Sequence, residues 1–338
     1  MHVLTQRLMA FAGKPPIGAN WTYQSQLATT TWGALSHVTS IAWNGSVFCI
    51  GGENNAGLGG SIATSADGVT WTYQNGLKAT GPTGWAGGSV YDLIWTGSQF
   101  CVVGQDAGFA TSPDGVTWTY RAGLKNIWPA SYRQVFSVAW NGSVFCAVGL
   151  YGNVATSADG ITWTLRTGLQ STSWSVSVVW KVIWVNSQFI AVGAGGVATS
   201  PDGITWTVRN AIAYTLWNGA NGNEVRSIAW SGTQYCIVGE SGQVATSPDA
   251  ITWTNQTGLR ATDWGTTDSV RSIVWAGNTF CAVGASGKVA ISLDGVNWNY
   301  RSSLQSTSWG STAMATAVAW SGSKLCAVGE GARVATSP

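Results

Sequence analysis

One phrase recurs seven times along the chain and limits the possible folds more than any other feature. Each copy opens with an apolar run that ends in a tryptophan, and these anchor tryptophans lie 44 to 52 residues apart. They are Trp43, Trp95, Trp140, Trp184, Trp230, Trp275 and Trp320. A repeat of this length indicates that each copy is one small structural unit, and that neighbouring units bury a shared core.

The copy that runs from Val270 to Leu304 shows what one unit contains. Its apolar pattern predicts four strands, at Val270–Trp275, Phe280–Gly284, Lys288–Ser292 and Val296–Arg301. Turns that contain Gly or Asn separate them, because these residues adopt positive φ angles at low cost. A lone four-stranded sheet cannot bury both of its faces, whereas sheets packed face to face around an axis can. The sequence therefore predicts an all-β, seven-bladed β-propeller with four-stranded blades.

The two ends of the chain are expected to meet in the last blade. The seventh copy stops at Pro338, before its fourth strand. The missing strand has a counterpart at the other end of the chain, where Trp21 precedes its anchor by the same number of residues as Trp253 does. We therefore expect Asn20–Gln24 to pair with Arg333–Ser337, which would close the ring and leave no open gap between the first and last blades.

Residues 1–16 lie outside the repeat. Their apolar residues are interrupted by Gln6 and Arg7, so they match a signal peptide poorly, and Pro15 and Pro16 would end any helix. The expected organisation is an extension over residues 1–16, which docks on the propeller or on other subunits of an assembly, followed by one propeller domain over residues 17–338.

Composition excludes several classes of function. Charged residues make up 9% of the chain, against roughly 25% in an average chain, and the net charge is +2 with no Lys/Arg cluster. A nucleic-acid partner is therefore not expected. No apolar run reaches the roughly 20 residues of a membrane helix, so membrane insertion is not expected either. Two histidines exclude a histidine-based metal cluster, and no cofactor is predicted.

The cysteines follow the repeat. Each lies six residues after an anchor tryptophan, and Ile190 takes this slot in the fourth copy. Equivalent positions on different blades should be too far apart for a disulfide, so we expect six free, buried thiols. They are Cys49, Cys101, Cys146, Cys236, Cys281 and Cys326. This favours a protein made in a reducing cytoplasm.

A short motif marks the turn between the third and fourth strands. It reads Ser-x-Asp-Gly-x-Thr-Trp, as at Ser65–Trp71, with Ala250 replacing Gly in one copy. Ser and Asp oxygens can accept hydrogen bonds from the backbone of such a turn, so a structural role is predicted for its six aspartates. They are Asp67, Asp114, Asp159, Asp202, Asp249 and Asp294.

This motif resembles the Asp-box (BNR) repeat of sialidases and of many non-enzymatic propellers, in a variant with one residue fewer between Asp and Trp. The resemblance covers about residues 17–338 and implies a propeller in which these aspartates are structural. The longer phrase, such as Ala282–Trp298, also resembles propellers of bacterial surfaces and bacteriophage virions.

The 22 tryptophans fall into three sets of seven, with Trp180 left over. Besides the anchors, one set lies on the fourth strands, and the other lies in the polar loops that lead to the next blade. The loop set consists of Trp32, Trp85, Trp128, Trp174, Trp217, Trp264 and Trp309. Two interpretations of it stay open: the indoles plug the blade interfaces, or they form a ring that binds sugars. Loops on the same face offer four acidic candidates, Glu53, Asp106, Glu240 and Glu330.

One slot, the second residue of the first strand, varies widely among otherwise similar copies. It holds Thr39, Tyr91, Phe136, Trp180, Arg226, Arg271 and Thr316. A slot this variable is expected to face solvent or a partner.

An enzyme is not expected. Resemblance to sialidases would imply an arginine triad, an acidic residue and a Tyr–Glu pair, on six blades. Here Arg121, Arg166, Arg209 and Arg301 occupy one repeated fourth-strand slot, which spreads them around the rim. No convergent acid–base pair can be named, so no catalytic residue is predicted.

The function that the sequence favours is a non-enzymatic binding propeller. It would be lectin-like or receptor-binding, for example a bacteriophage tail adhesin that recognises a surface glycan, at a virion or cell surface. The alternative is a structural protein–protein interaction propeller in a larger assembly such as a virion. A sialidase-like glycoside hydrolase is less favoured.

Overall fold

The structure, a computed structural model, describes residues 17–29, 32, 36–53, 60–77, 85, 88–172, 174, 177–209 and 224–338. Over these residues the chain forms seven antiparallel, four-stranded sheets. Consecutive sheets pack against one another, and the seventh packs against the first, so the predicted seven-bladed β-propeller is confirmed.

The strands are as follows, with blades numbered in chain order. Strand β1 spans Thr22–Gln24. Blade 1 contains β2 (Val38–Trp43), β3 (Phe48–Gly52), β4 (Ser61–Ser65) and β5 (Thr72–Gln74). Blade 2 contains β6 (Val90–Trp95), β7 (Phe100–Gly104), β8 (Phe109–Ser112) and β9 (Thr119–Tyr120). Blade 3 contains β10 (Val135–Trp140), β11 (Phe145–Gly149), β12 (Val154–Ser157) and β13 (Thr164–Arg166).

The remaining blades repeat this plan. Blade 4 contains β14 (Val179–Val185), β15 (Gln188–Gly193), β16 (Gly196–Ser200) and β17 (Thr207–Arg209). Blade 5 contains β18 (Val225–Trp230), β19 (Tyr235–Gly239), β20 (Val244–Ser247) and β21 (Thr254–Gln256). Blade 6 contains β22 (Val270–Trp275), β23 (Phe280–Gly284), β24 (Val289–Ser292) and β25 (Asn299–Arg301). Blade 7 contains β26 (Ala315–Trp320), β27 (Leu325–Gly329), β28 (Arg333–Ser337) and β1.

Within the residues that the structure describes, helical structure occurs only in short connections. One α-helix, α1, spans Gly123–Ile127. Short 3-10 turns lie at Leu27–Thr29, Ala130–Tyr132, Leu150–Gly152, Glu240–Gly242, Ala285–Gly287 and Glu330–Ala332.

The ring is closed by the N-terminal strand, as predicted. Strand β1 runs antiparallel to β28, with Thr22 opposite Thr336, Tyr23 opposite Ala335 and Gln24 opposite Val334. Residues 1–16, for which docking was expected, lie outside the described residues.

The core lies between the blades. The second strand of every blade is buried along almost its whole length, which explains why its sequence is apolar throughout. At the junction of blades 7 and 1, for example, Cys326 and Val328 of β27 pack with Phe48 and Ile50 of β3. Each interface is thus a two-sheet core, in which the twisted sheets interdigitate their side chains.

The turns between third and fourth strands, here called the Asp-turns, show one repeated hydrogen-bond pattern. In blade 1 the amides of Val69 and Thr70 each donate to Oδ1 of Asp67 at 2.7 Å, and the Gly68 amide donates to Oγ of Ser65 at 2.8 Å. The indole of Trp71 donates to the Gly68 carbonyl at 3.1 Å. The backbone and serine hydrogen bonds recur in blades 2 to 6. The indole bond recurs in blades 2, 3, 4 and 6, whereas Nε1 of Trp253 in blade 5 has no hydrogen-bond partner.

The Asp-turns also correct the predicted start of the fourth strand. In blade 6 this strand was expected from Val296, but β25 begins at Asn299. The amides of Val296 and Asn297 donate to Asp294 instead of a neighbouring strand. The outer strands are therefore short, at two or three residues in the first six blades.

The six cysteines are free and buried, as predicted. Burial raises the pKa of the Cys101 and Cys281 thiols to about 12, and it raises the pKa of the other four as well. Thiols of this kind are not nucleophilic near neutral pH, because the thiolate is the reactive species.

We therefore expect the native protein to react with Ellman's reagent only as fast as it unfolds. In denaturing guanidinium chloride all six thiols should react at once, and absorbance at the thionitrobenzoate wavelength counts them. Stoichiometric labelling of the native protein within seconds would contradict the packing of these side chains.

The Asp-turns predict a loss of stability in acid. Partial burial raises the pKa of Asp67, but hydrogen bonds from the Thr70 and Val69 amides and from the Ser65 and Thr70 hydroxyls outweigh it and lower the pKa to about 2. Because the folded-state pKa lies below the unfolded value, this contribution is present above about pH 4 and is lost as the pH falls toward 2. Urea unfolding at a series of pH values should show the free energy of unfolding falling over this range.

An Asp67→Asn variant should show a shallower fall in this free energy than the wild type. The amide can still accept backbone hydrogen bonds but has no proton to gain. The exposed loop residue Asp263 provides the control, since Asp263→Asn should leave the slope unchanged. Equal slopes for Asp67→Asn and the wild type would show that the Asp-turns are not responsible.

Candidate functional site

The first strands of all seven blades surround a central channel. It holds a cavity of about 220 Å³, which is lined only by residues of β2, β6, β10, β14, β18, β22 and β26. The start of each first strand pairs with the end of the second strand, as Val90 does with Gly104. The second residue of each first strand therefore lies at the channel mouth, on the face that carries the loops between second and third strands.

The variable slot of the repeat lines this mouth. The seven side chains at this position are partly exposed, in agreement with the prediction that the slot faces solvent or a partner. They do not form a symmetric ring. Blades 2 to 6 contribute three aromatic residues and two arginines, whereas blades 7 and 1 contribute threonines.

The aromatic residues form a continuous arc. The ring centroids of Tyr91 and Phe136 are 5.2 Å apart, and those of Phe136 and Trp180 are 4.7 Å apart. The guanidinium carbon of Arg226 lies 4.1 Å from the centroid of the Trp180 ring, a cation–π distance. The Trp180 indole donates to Oε2 of Glu224 at 2.7 Å. We call Tyr91, Phe136, Trp180 and Arg226 the rim arc.

Two arginines on the rim are held by two glutamates. Arg226 contacts Oε2 of Glu224 at 2.8 Å and Oε1 of Glu240 at 2.7 Å. Arg271 lies 3.6 Å from the same Glu240 oxygen, and its Nε has no hydrogen-bond partner. Burial and the neighbouring Arg226 charge lower the pKa of Arg271, against the opposing effect of the glutamates. Arg226, the cationic end of the rim arc, is thus held in place by two carboxylates.

The threonines on the opposite side of the mouth bind the backbone. Thr39 donates to the carbonyl of Val90 in the next blade at 2.6 Å, and Thr316 donates to the carbonyl of Val38. These two side chains join blades 7, 1 and 2. The mouth therefore has one aromatic, cationic side and one small, polar side.

A buried ion pair lies one residue deeper in the channel. Asp92 is 4% exposed and accepts from Lys181 Nζ at 2.8 Å, from Ser137 Oγ at 2.6 Å and from the amides of Leu93 and Val138 at 3.0 and 3.2 Å. It therefore connects blades 2, 3 and 4. A buried carboxylate without such partners would be strongly destabilising.

Sequence reasoning missed this cluster, although the signal was present. Serine or alanine stands at the same position in five of the seven copies, and the exceptions are Asp92 and Lys181. Where this position is a serine, as at Ser227 and Ser272, its hydroxyl accepts a hydrogen bond from an amide of the next blade, at 3.3 and 3.4 Å.

The loop tryptophans that the structure describes are buried, which favours the packing interpretation over an open ring of indoles. The six that the structure describes are 0–4% exposed, and they are Trp32, Trp85, Trp128, Trp174, Trp264 and Trp309. Trp217 lies outside the described residues. Trp174, for example, packs between Val148 of blade 3 and Val179 of blade 4, which is the packing interpretation.

The glycine that ends the second strand explains this burial. A Cβ on Gly149 would lie 2.9 Å from Cζ2 of Trp128 and 2.0 Å from the Gln134 carbonyl oxygen, so the indole packs where a side chain would project. Four of these buried indoles donate to backbone carbonyls, as Trp264 does to that of Asp268, 3.0 Å away, whereas Nε1 of Trp174 has no hydrogen-bond partner. The glycine at this position, which occurs in every copy, was the feature of the sequence that could have predicted the burial of these indoles.

The four acidic candidates do not converge. Glu53 contacts His37 at 2.9 Å, Asp106 pairs with Lys125 and Arg133, and Glu330 accepts from the Met314 amide at 3.0 Å. Of the four, Glu240 pairs with the rim arginines. Glu53 lies near Tyr91, and burial together with this carboxylate raises the pKa of Tyr91.

Three of the four arginines end outer strands and Arg121 directly follows one, so they are spread around the rim as their spacing implied. Nε of Arg166 donates to Thr156 at 2.8 Å, and Nε of Arg209 donates to Thr199 at 3.1 Å. Within the described part of the chain no group of three or more His, Cys, Asp or Glu side chains could hold a metal ion. Over the same residues, no helix has the length and apolarity that crossing a membrane requires.

Comparison with known proteins supports the fold alone. No family model matches the chain, and no curated protein matches it. Among solved structures, YCF48 bound to a D1 peptide has a TM-score of 0.65 at 14% identity, covering 94% of this chain and 96% of that one. A chain of a mitotic checkpoint complex has a TM-score of 0.63 at 13% identity, covering 99% and 98%. The WD40 propeller domain of Doa1 has a TM-score of 0.63 at 12% identity, covering 94% and 97%. The chain is thus similar to propellers of the YCF48 and WD40 kinds.

Proposed function

We propose that this protein is a non-enzymatic binding propeller whose partner is a polypeptide that docks at the channel mouth. The observation that carries the proposal is the rim arc, an asymmetric row of three aromatic rings and an arginine in a ring of otherwise similar blades. If the slot served packing alone, one residue type would suit all seven blades.

The chemistry of the rim arc suits a protein partner. Tryptophan, tyrosine and arginine are the residues most enriched at the energetic centres of protein interfaces. The arc is partly exposed, and Glu224 and Glu240 hold Arg226 in place, so little side-chain entropy would be lost on binding. The net charge of the arginines and glutamates is close to balanced, which favours an apolar or aromatic anchor on the partner over a highly charged one.

The solved neighbours support a polypeptide as the class of partner. One of them is bound to a peptide, and another is part of a multiprotein complex. Recognition of a surface glycan, as by a virion adhesin, relied on exposed loop indoles, and their burial removes that support. Glycan binding is therefore treated as one outcome of the test below.

Two further features support the proposal that the protein belongs with the non-enzymatic Asp-box propellers. Its Asp-turn aspartates are occupied by backbone and serine hydrogen bonds, which suits a structural role. The carboxylates at the mouth are likewise engaged by arginine or tryptophan, and Asp92 is buried beneath them. None is placed as a free acid or base.

The test is binding of the purified full chain to an array of random 15-residue peptides and to a glycan array. We expect reproducible binding to a subset of peptides. A Trp180→Ala change should weaken it by about 30-fold, equivalent to about 2 kcal/mol, because it removes the centre of the rim arc.

The matched control is Ile161→Ala, which removes an exposed apolar side chain, 51% exposed, from an Asp-turn outside the channel mouth. It should leave peptide binding unchanged, and circular dichroism should show that both variants are folded. Binding to glycans alone, peptide binding that survives Trp180→Ala, or no binding on either array would each reject a polypeptide site at the mouth.

A further inference from the structure

A groove lies between the outer strands of one blade and the Asp-turn of the next. In blade 3 it has a volume of about 340 Å³ and is lined by Thr156, Ala158, Thr162 and Thr164, and by Asp202 of blade 4. The equivalent groove of blade 6 has a volume of about 690 Å³. We call the latter the seam groove, because its far wall is Ile17, beside the strand that closes the ring.

The seam groove departs from the repeat at the residues that line it. Alignment on the Asp-turns places Ile291 where blade 3 has Thr156, and Leu293 where it has Ala158. Asparagines replace threonines at two further positions, 297 and 299, and Ile17 stands where Asp202 stands in the next turn. In the first five copies the position of Ile291 is always Thr, and that of Leu293 is always Ala or Pro. The departures therefore gather around one cavity, and three of them, Ile17, Ile291 and Leu293, give it an apolar wall.

Two of these departures have local costs that an occupant of the groove would offset. Leu293 is 74% exposed, which is unfavourable for a side chain of this size. Nε of Arg301 has no acceptor, whereas Nε of Arg166 has Thr156 at 2.8 Å. Ile291 supplies no hydroxyl to replace that threonine.

Residues 1–16 are attached to the rest of the chain at this groove, through Ile17. In the first six blades the Asp-turn is preceded by the third strand of its own blade, but in blade 7 that place is filled by β28 from the other end of the chain. Ile17, to which residues 1–16 are attached, therefore lies at the wall of the seam groove. The next residue, Gly18, is packed so closely that a Cβ there would lie 3.0 Å from Cγ2 of Ile291.

We propose that residues 1–16 bind in the seam groove of their own chain. The segment carries five large apolar residues, Val3, Leu4, Leu8, Met9 and Phe11, which complement a wall formed by Ile17, Ile291 and Leu293. Attachment at Ile17 gives the segment a high effective concentration at the groove, so modest apolar contacts are enough to hold it. This contact does not involve the channel mouth. It places residues 1–16 beside β1, the strand that closes the ring.

Amide hydrogen–deuterium exchange of the full chain, followed by mass spectrometry, tests this directly. Amides of residues 1–16 should exchange at least about tenfold more slowly than those of a synthetic peptide with the same sequence. The change Leu293→Ala, at an exposed position that cannot unfold the core, should remove most of this protection. Ile291→Thr, which restores the residue of the other blades, should do the same.

The control is Ile204→Ala, which removes an apolar side chain from the groove of blade 3 and should leave residues 1–16 protected. Exchange as fast as in the free peptide would overturn the proposal. So would protection that survives both seam-groove variants, which would place the segment elsewhere on the protein. Protection that grows with protein concentration would assign the segment to a second copy and would equally overturn it.

Discussion

Ring closure is the constraint on which the rest of this structure depends. Every blade is buried on both faces, and this is possible only if each has a neighbour on either side. For blades 7 and 1 that condition is met because Thr22–Gln24 joins the sheet of Arg333–Ser337. The two ends of the chain thus share one sheet, and the ring cannot open into a linear array without breaking the pairing of β1 with β28. One outer strand of three residues therefore closes a ring in which the structure describes 28 strands.

Residues that follow the repeat stabilise the fold, whereas residues that depart from it form the surfaces proposed for recognition. Positions that are the same in all or nearly all copies are explained by local packing and hydrogen bonding; examples are the second-strand glycine, present in every copy, and the Asp-turn aspartate, present in six of the seven. Two groups of varying positions lie together in the fold, one at the channel mouth and one at the seam groove. Because neighbouring copies provide an internal reference, a departure such as Asp92 or Ile291 can be interpreted against the residue that the fold alone would accept.

The fold could be predicted from the sequence because it follows from periodicity. The spacing of the anchor tryptophans gave the number of blades, and the position of Trp21 gave the closing strand. The start of the outer strands could not be predicted as easily, since hydrogen bonds from Val296 and Asn297 to Asp294 take up residues whose alternation resembles a strand. Local side-chain acceptors there competed successfully with strand pairing.

The site was harder to predict than the fold. The loop tryptophans have polar neighbours in sequence, yet the chain folds each described indole back over a glycine, and only the three-dimensional structure shows this. The variable slot was predicted to face solvent or a partner. That its seven residues, far apart in sequence, meet around one axis is evident only in the structure. Contacts such as Trp180 with Arg226, or Asp92 with Lys181, join different blades and have no signature in local sequence.

Ring closure can be measured with one designed cross-link. Thr22 and Thr336 are directly opposite in the closing sheet, a separation that suits a disulfide, and the six native thiols are buried. A Thr22→Cys/Thr336→Cys variant oxidised under native conditions should form an intramolecular disulfide, seen as a monomer with faster mobility on a non-reducing gel and as the loss of two hydrogens by mass spectrometry. Two free thiols at these positions after oxidation, or covalent dimers in place of the monomer, would contradict a ring closed by its own N-terminal strand.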